Sequence, residues 1–570
     1  MTAGGRLGVR QRLRLSRRPA SSDLGAHLRG LYVGGRFSAQ ELCESATVAG
    51  GAAPELKRLA TGSPAFRNRR GKRVIDSRNA AAKVGRLLQH DCKLHEPYFA
   101  DVPAWDRSTN SQKLARVALL PIHETLDAVI ADDSVESWTS FDETQRGFRD
   151  ELIHWSQRVG VLLDGNWTAI ALWGDSAPYT TRDSVFLLTF TALSGTHRSR
   201  FWIGALSKRR LCACGCKGRC TFDGIFSVVA WSMRALLAGR WPRADHLGNE
   251  LTGWRRDLAG QPLKTHAACI GKCGDWAWHK QVLNMRGWRD GPAQSCCWLC
   301  NATINDDDFS LTAAWRRTKR SSADILREAH AGAYVSGIWS IPGFDLSYVH
   351  PDWMHTCDQG VLQYACGNIL YSLLQRDLRC SAGTLAEGVS LLENLMKSAS
   401  RSMGVEPPFF ELTANMIRRP GKRPKLKLKA AEGRYFVPVL LFMLRNFFDA
   451  DGRYEQTRLH CLEALSRALD ELTRWDPALS GDRLELAARQ HLLLYVELRR
   501  MSDTDVAWHV YPKHHLWVHC SARQRVSPRD LWNYADEDCI GQAAKLALSV
   551  NVHMLHQSLV RRYRLQVGNV

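Results

Sequence analysis

The chain reads as a mixed α/β protein on three observations. Short, apolar, β-prone segments bounded by turn residues crowd the stretch from about 155 to 275. Apolar residues recur at spacings of three and four after residue 358. The composition is that of a folded protein, 45% hydrophobic and 24% charged over 570 residues. Length implies roughly three to five folding units. The charge is less ordinary: 77 Lys and Arg against 57 Asp and Glu leave a formal net charge of +20, which points to a polyanionic partner such as nucleic acid.

Residues 1–150 form a basic region in which Arg6, Arg10, Arg12, Arg14, Arg17 and Arg18 alternate with small residues. Periodicity is scarce there, and a partly disordered, partly helical segment with linkers is expected. No apolar signal segment opens the chain, although an Arg-rich, acid-poor start also suits an organellar transit peptide. The longest apolar run, 435–444, is interrupted by Pro438 and falls short of the ~18 residues that span a bilayer, so a soluble protein with no membrane partner is expected. Next, Thr168 to Trp173, Ser184 to Phe190 and Arg200 to Gly204 predict three consecutive strands; Gly224 to Gly239 predicts a helix, and Lys264 to Gly274 a weaker fourth strand.

Helix dominates residues 358–506, on the spacing of Leu362, Ala365, Ile369 and Leu373 and of Leu462, Leu465, Leu469 and Leu472. Within it, Arg418 to Lys429 holds two prolines that prevent continuous helix, and an exposed loop is expected. Residues 507–570 read as a short extended piece, with Tyr511 to His515 as a His-rich strand, followed by one long helix from Ala535 to about Arg562. The expected units are therefore 1–150, 155–357, 358–506 and 507–570.

Seventeen cysteines in a chain read as residing in a reducing compartment suggest metal ligation. Cys212, Cys214, Cys216 and Cys220 fall inside nine residues; Cys297 and Cys300 form a Cys-x-x-Cys next to Cys296, with Cys269 and Cys273 upstream. Zn²⁺ takes about four soft ligands in a tetrahedron, and two thiolates on one tight turn can reach a single ion. The pairing stays open: each cluster holds its own Zn²⁺, or Cys297 and Cys300 complete a site begun elsewhere. Buried, unligated thiols are the plain alternative.

Acids occupy telling positions. Asp175 follows Leu172-Trp-Gly, and Asp275 follows Lys272-Cys-Gly, each at the end of an expected strand. Hard cations need oxygen ligands, and phosphodiester chemistry commonly uses two ions bridged by carboxylates from different elements. An acid after a strand is also an ordinary turn former or helix cap. Asp352 and His355 sit three apart where they could cap a helix or point into a site. Asp536, Glu537 and Asp538 open the last helix, where acids favour the macrodipole in any case. Arg69, Arg70, Lys72 and Arg73, and Arg418, Arg419, Lys422, Arg423, Lys425, Lys427 and Lys429, are dense enough in cations to contact phosphates or simply to face solvent.

In this order the motifs resemble the DDE-type transposases of the CACTA (En/Spm-like) group and related cut-and-paste elements. Gly174-Asp-Ser-Ala-Pro178 matches the turn after a strand that carries the family's first acid. Asp275 to Gly287-Trp288, running into Cys297 to Cys300, matches the second, and Asp352-Trp-Met-His355 the third marker, with Trp353 where the family has Pro. The resemblance covers roughly residues 160–375. It implies an RNase H-like core interrupted by a large all-α insertion, with Asp175, Asp275 and a final Glu, best placed at Glu537, holding two Mg²⁺ (or Mn²⁺) ions. His355 and Asp352 would support that site. The implied activity is cleavage and joining of DNA for a mobile element, in the nucleus, with a homo-oligomer on DNA ends compatible. The Cys212 to Cys220 cluster is outside the family pattern and rests on ligand chemistry alone. The alternative is a transposase-derived, zinc-containing DNA-binding protein without turnover. A zinc-stabilised scaffold for proteins would leave the +20 charge without a role.

Overall fold

The computed structural model describes residues 24–37, 39–48, 65–67, 73–75, 92–130, 133–285, 287, 294–331, 335–378, 382–406, 411–522 and 525–567. After two helices, Leu24–Val33 and Ala39–Val48, come two antiparallel pairs: β1 (Ala65–Arg67) with β2 (Arg73–Ile75), and β3 (Tyr98–Asp106) with β4 (Ser111–Leu119). The central sheet has four strands, β5 (Trp167–Thr180), β6 (Asp183–Ala192), β7 (Phe201–Ser207) and β8 (His266–Lys272), in the order β7-β6-β5-β8. A two-residue turn folds β6 back on β5, so β5, β6 and β7 are antiparallel neighbours. β8 lies parallel to β5. A parallel neighbour requires a crossover, and α1 (Arg219–Ala238) lies on it. Beyond β8, Val349 makes one parallel bridge to Lys272, and the His350 amide donates to the Lys272 carbonyl at 2.9 Å. That short contact leads the chain to the same end of the sheet.

Both faces of the sheet are covered. Ile170 and Leu172 of β5 join the larger core, while Trp167, Ala169, Ala171 and Trp173 join a second core on the other face. This is the period-two alternation of a strand, disguised in sequence as a continuous apolar run because neither face is wet. α1 is long and apolar enough to cross a membrane by length and composition, and 67% of that window is buried inside the protein, as in a core helix.

Mixed α/β architecture is thus observed, with several departures from expectation. The region before 150 contains the β3–β4 hairpin and a helix, Ile122–Ile130, whose Tyr98, Val102, Val117, Leu119 and Leu126 belong to the main core. The alternation of β3 was present in sequence, but its partner β4 is exposed over most of its length, so no matching apolar run announced the pair. β5 is also longer than the expected Thr168 to Trp173.

Helix replaces strand at the His-rich segment: α6 spans Pro512–Ala522. Pro512 stands in its first turn, where no N–H is needed. Eight consecutive residues from His514 to Ser521 are buried, so no polar face marks the helical period. The expected long terminal helix is two, α7 (Tyr534–Ala547) and α8 (Leu555–Val567).

Between these parts the chain is helical. α2 (Leu362–Ser372) continues a wide-turned π segment, Met354–Val361; α3 (Leu385–Ser402), Ala430–Asn446, α4 (Arg453–Thr473) and α5 (Ser480–Arg500) follow. Buried Arg458 of α4 pairs in two hydrogen bonds of 2.7 and 2.8 Å with Asp377 at the end of the 354–377 helix. The basic run 418–429 is not a free loop. The Leu426 amide donates to the Gln363 carbonyl at 2.8 Å and the Lys427 amide to Met416 at 2.9 Å. Gly367 permits this approach, since a Cβ there would lie 2.5 Å from the Leu426 nitrogen.

Candidate active site and metal centres

Leu172 pairs with Lys272 in parallel register, and an acid stands three residues beyond each. The residue before each acid is glycine, and the two glycines meet: a Cβ on Gly274 would lie 3.1 Å from the Gly174 carbonyl oxygen. Trp278 packs beneath both, its ring where a Cβ on Gly174 would have to be. At Gly274 φ is +147°, a backbone that side-chain-bearing residues rarely adopt. Asp175 does not sit in a turn after its strand, as expected, but inside β5 opposite Leu187; the strand runs on because β6 continues to pair with it after β8 has ended. Asp275 caps the helix Trp276–Leu283, one oxygen accepting from the Trp278 amide at 2.6 Å, so capping and site placement coincide.

Two further segments close on this edge. Asp352, buried, accepts from the His355 amide at 2.9 Å and meets the His355 ring Nδ1 at 2.5 Å through Oδ2. Its Oδ1 accepts from the Asn533 amide at 3.0 Å, immediately before α7. That bond seats the start of α7 against the 352–355 turn, and Glu537 Oε1 lies 3.5 Å from His355 Nε2. The three acids of α7 separate as a 3.6-residue period requires. Asp536 is buried against Arg200 (3.1 Å) and Thr189 (3.2 Å), Asp538 is exposed, and Glu537, its side chain 45% exposed, alone of the three ion-pairs with His355.

Burial pushes the Asp175 carboxyl up to about 7, and the nearby negative charges of Asp275 and Glu537 add to it, against the pull of His355. Burial also raises Glu537, with His355 opposing. For His355, burial alone would lower the imidazole; the hydrogen bond to Asp352 and the charges of Asp352, Asp275 and Asp175 outweigh it and lift the ring to about 9. An imidazolium therefore stands among mutually repelling carboxylates. Such a set gains from any added cation, and all-oxygen donors suit hard ones.

Among the described residues, two donor groups have all their ligand atoms within 4.8 Å of one another, and both are built on cysteine. The acid set is more open than either. The first group is Cys212, Cys214 and Cys216, in the loop between β7 and α1, with Cys220 in the first turn of α1. Positive φ at Gly215, Lys217 and Gly218 curls the loop tightly enough to gather all four thiols. It is shallow: Cys214 is exposed and Cys216 and Cys220 half-buried.

The second group is Cys297, Cys300, His515 and His519, all buried. Cys300 Sγ lies 3.1 Å from His515 Nε2, which lies 3.2 Å from His519 Nε2. The Leu299 amide donates to Cys297 Sγ at 3.2 Å. Two thiols on a tight turn and two imidazoles one helical turn apart make a Cys2His2 set suited to a metal such as zinc. The histidines escaped the sequence reading. His-x-x-x-His is visible, but in the strand that the sequence predicts the two rings stand roughly 13 Å apart along the axis, against about 6 Å on a helix. Cys269, Cys273 and Cys296 belong to neither group. Burial pushes the Cys269 and Cys296 thiols up to about 12, so they pack as neutral side chains.

Of the basic residues, Arg69, Arg70 and Lys72 lie outside the described residues, as do the Arg73 side chain and Trp288. Arg419, Lys422, Arg423, Lys427 and Lys429 are exposed. Arg418 is half-buried and donates to the Tyr371 hydroxyl at 3.0 Å, and half-buried Lys425 lies 5.0 Å over the Tyr364 ring. No protein-family model matches the chain, and no curated protein matches it.

Proposed function

We propose that the protein is a metal-dependent DNA-processing enzyme of the CACTA-like transposase kind, cutting phosphodiesters and transferring strands in the nucleus. The observation that carries this reading is the convergence of Asp175, inside β5, and Asp275, three residues past its parallel neighbour β8, with His355 and with Glu537, which returns to the same edge from the far side of a helical stretch. The strand order, with its antiparallel trio, parallel fourth strand and rudimentary fifth at Val349, agrees with an RNase H-like core. Helices between His355 and Glu537 agree with an all-α insertion.

Asp175, Asp275 and Glu537 would hold Mg²⁺ or Mn²⁺, which when bound polarises a phosphoryl oxygen and lowers the pKa of an attacking water. Asp352 fixes the His355 ring, and His355 restrains Glu537. Zn²⁺ in the two cysteine groups would be structural, since four protein ligands leave no open position. The test is a Mg²⁺- or Mn²⁺-dependent nicking assay on duplex DNA. Asp175→Asn, Asp275→Asn and Glu537→Gln should each lower the rate on the order of 10²–10³-fold, the equivalent of several kcal/mol, with Asp538→Asn close to the parent.

One observation favours a second reading, a transposase-derived DNA-binding protein without turnover: the His355 cation already partly neutralises the acids. DNA binding by a parent protein that never nicks would select it.

A further inference from the structure

We propose that Lys513 and Lys425 form a notch that seats a backbone phosphate of the DNA beside the acid edge, an inference that rests on the DNA-processing reading above. Lys513 stands in the first turn of α6, and its Nζ donates to the His355 carbonyl at 2.7 Å. His355 is the residue whose ring lies between Asp352 and Glu537, so the ammonium is anchored one residue's width from the acids. Its stem is admitted by Gly360, where a Cβ would lie 2.7 Å from Lys513 Cδ. The room for this lysine is therefore built into the wide-turned helix entry that Asp352 begins.

Lys425 reaches the same place from the helical region. The backbone of the basic run is pinned to α2 by the Leu426 to Gln363 bond, and Lys425 Nζ stands 5.0 Å over the Tyr364 ring. Tyr364 stacks on Tyr511 at 4.1 Å, two residues before Lys513. The two lysines lie within electrostatic reach and repel each other. Among the described residues no ion pair involves either one. Each ammonium offers three donors, and Lys513 uses one on a neutral carbonyl.

Asp352 and Asp275 lie within electrostatic reach of Lys513 and oppose the effect of Lys425 on it, but neither acid ion-pairs with it, and an anion between the two lysines relieves their mutual repulsion. Charge-assisted bonds to two non-bridging phosphate oxygens fit two point-like ammonium groups. Exposed Arg419, Lys422, Arg423, Lys427 and Lys429 flank Lys425 in the same run, so a strand whose phosphate sits in the notch has further cations nearby.

The experiment combines the nicking assay with salt-dependent binding of a labelled DNA duplex, on Lys513→Gln, Lys425→Gln and the conservative Lys513→Arg, each checked for parent-like melting. We expect each Gln variant to flatten the log K against log salt slope by about 0.9, the value for one phosphate contact, and to raise KM more than it lowers kcat. Lys513→Arg should restore the slope. A buried structural lysine would lower stability without changing the salt slope. If the parent nicks or binds DNA and both Gln variants keep its slope and KM, the notch is overturned and the DNA reading stands. A parent that neither binds nor nicks DNA overturns both.

Discussion

The two cysteine groups reach the same donor geometry by opposite routes. Cys212, Cys214, Cys216 and Cys220 are gathered by one glycine-bearing loop near the surface. Cys297 and Cys300 meet His515 and His519 only because β-rich and helical parts of the chain pack together; Cys300 and His515 are 215 positions apart. A local group can form before the fold is complete and stabilises little beyond its own loop. A split, buried group closes a very long loop, and its ligand free energy becomes folding free energy.

The contrast is most easily broken at the buried site. Cys300→Ala should remove one metal equivalent and lower the melting temperature by about 10 °C or more, given a site worth several kcal/mol and roughly 2–4 °C per kcal/mol. Melting within ~2 °C of the parent, measured by calorimetry, would show that the group does not brace the core. Cys214→Ser should also lose one metal equivalent by elemental analysis, yet shift melting by less than about 3 °C, because the ligand is exposed and its loop makes the site alone. A large shift there would make the two groups equivalent and dissolve the comparison.

The acid edge is a third assembled set, held against repulsion rather than by a shared ligand, and it yields a smaller effect. Burial and its acidic neighbours raise Asp175 to about 7 in the folded chain, above the ~3.9 of an unperturbed carboxyl. The folded state therefore binds that proton more tightly than the unfolded one, and stability in the absence of divalent cations falls as pH rises from about 4 through 7. Asp175→Asn should abolish that part of the pH dependence and leave the cation-free protein more stable than the parent at pH 8. A variant with an unchanged stability profile between these pH values would mean that the carboxyl is already solvated or paired.

Residues that act through near neighbours were legible. The β5 to β7 apolar segments announced themselves, Asp175 and Asp275 stood out as acids following expected strands, and four thiols in nine residues marked a group that could hold a metal. Three things were not legible, each for want of a local signal. The β3–β4 hairpin hid because one of its strands is largely wet, and α6 read as strand because burial all round erased its period. The basic run looked like a solvated loop because nothing in its own letters reveals Gln363 and Gly367 as its partners.

By itself, the sequence determined what depends on short range: the strands of the central sheet, the helical run after 358, the Cys212 loop, and the chemistry each acid and thiol can perform. Tertiary structure alone decided which distant groups share a place. It paired Cys297 and Cys300 with two histidines, turned Asp536 onto Arg200 and Glu537 onto His355, and set Asp352 to hold both His355 and the start of α7. The physical reason is that hydrogen bonds, charge repulsion and metal-ligand distances act over a few ångströms of space, while spacing in sequence constrains space only within a few turns of helix or strand.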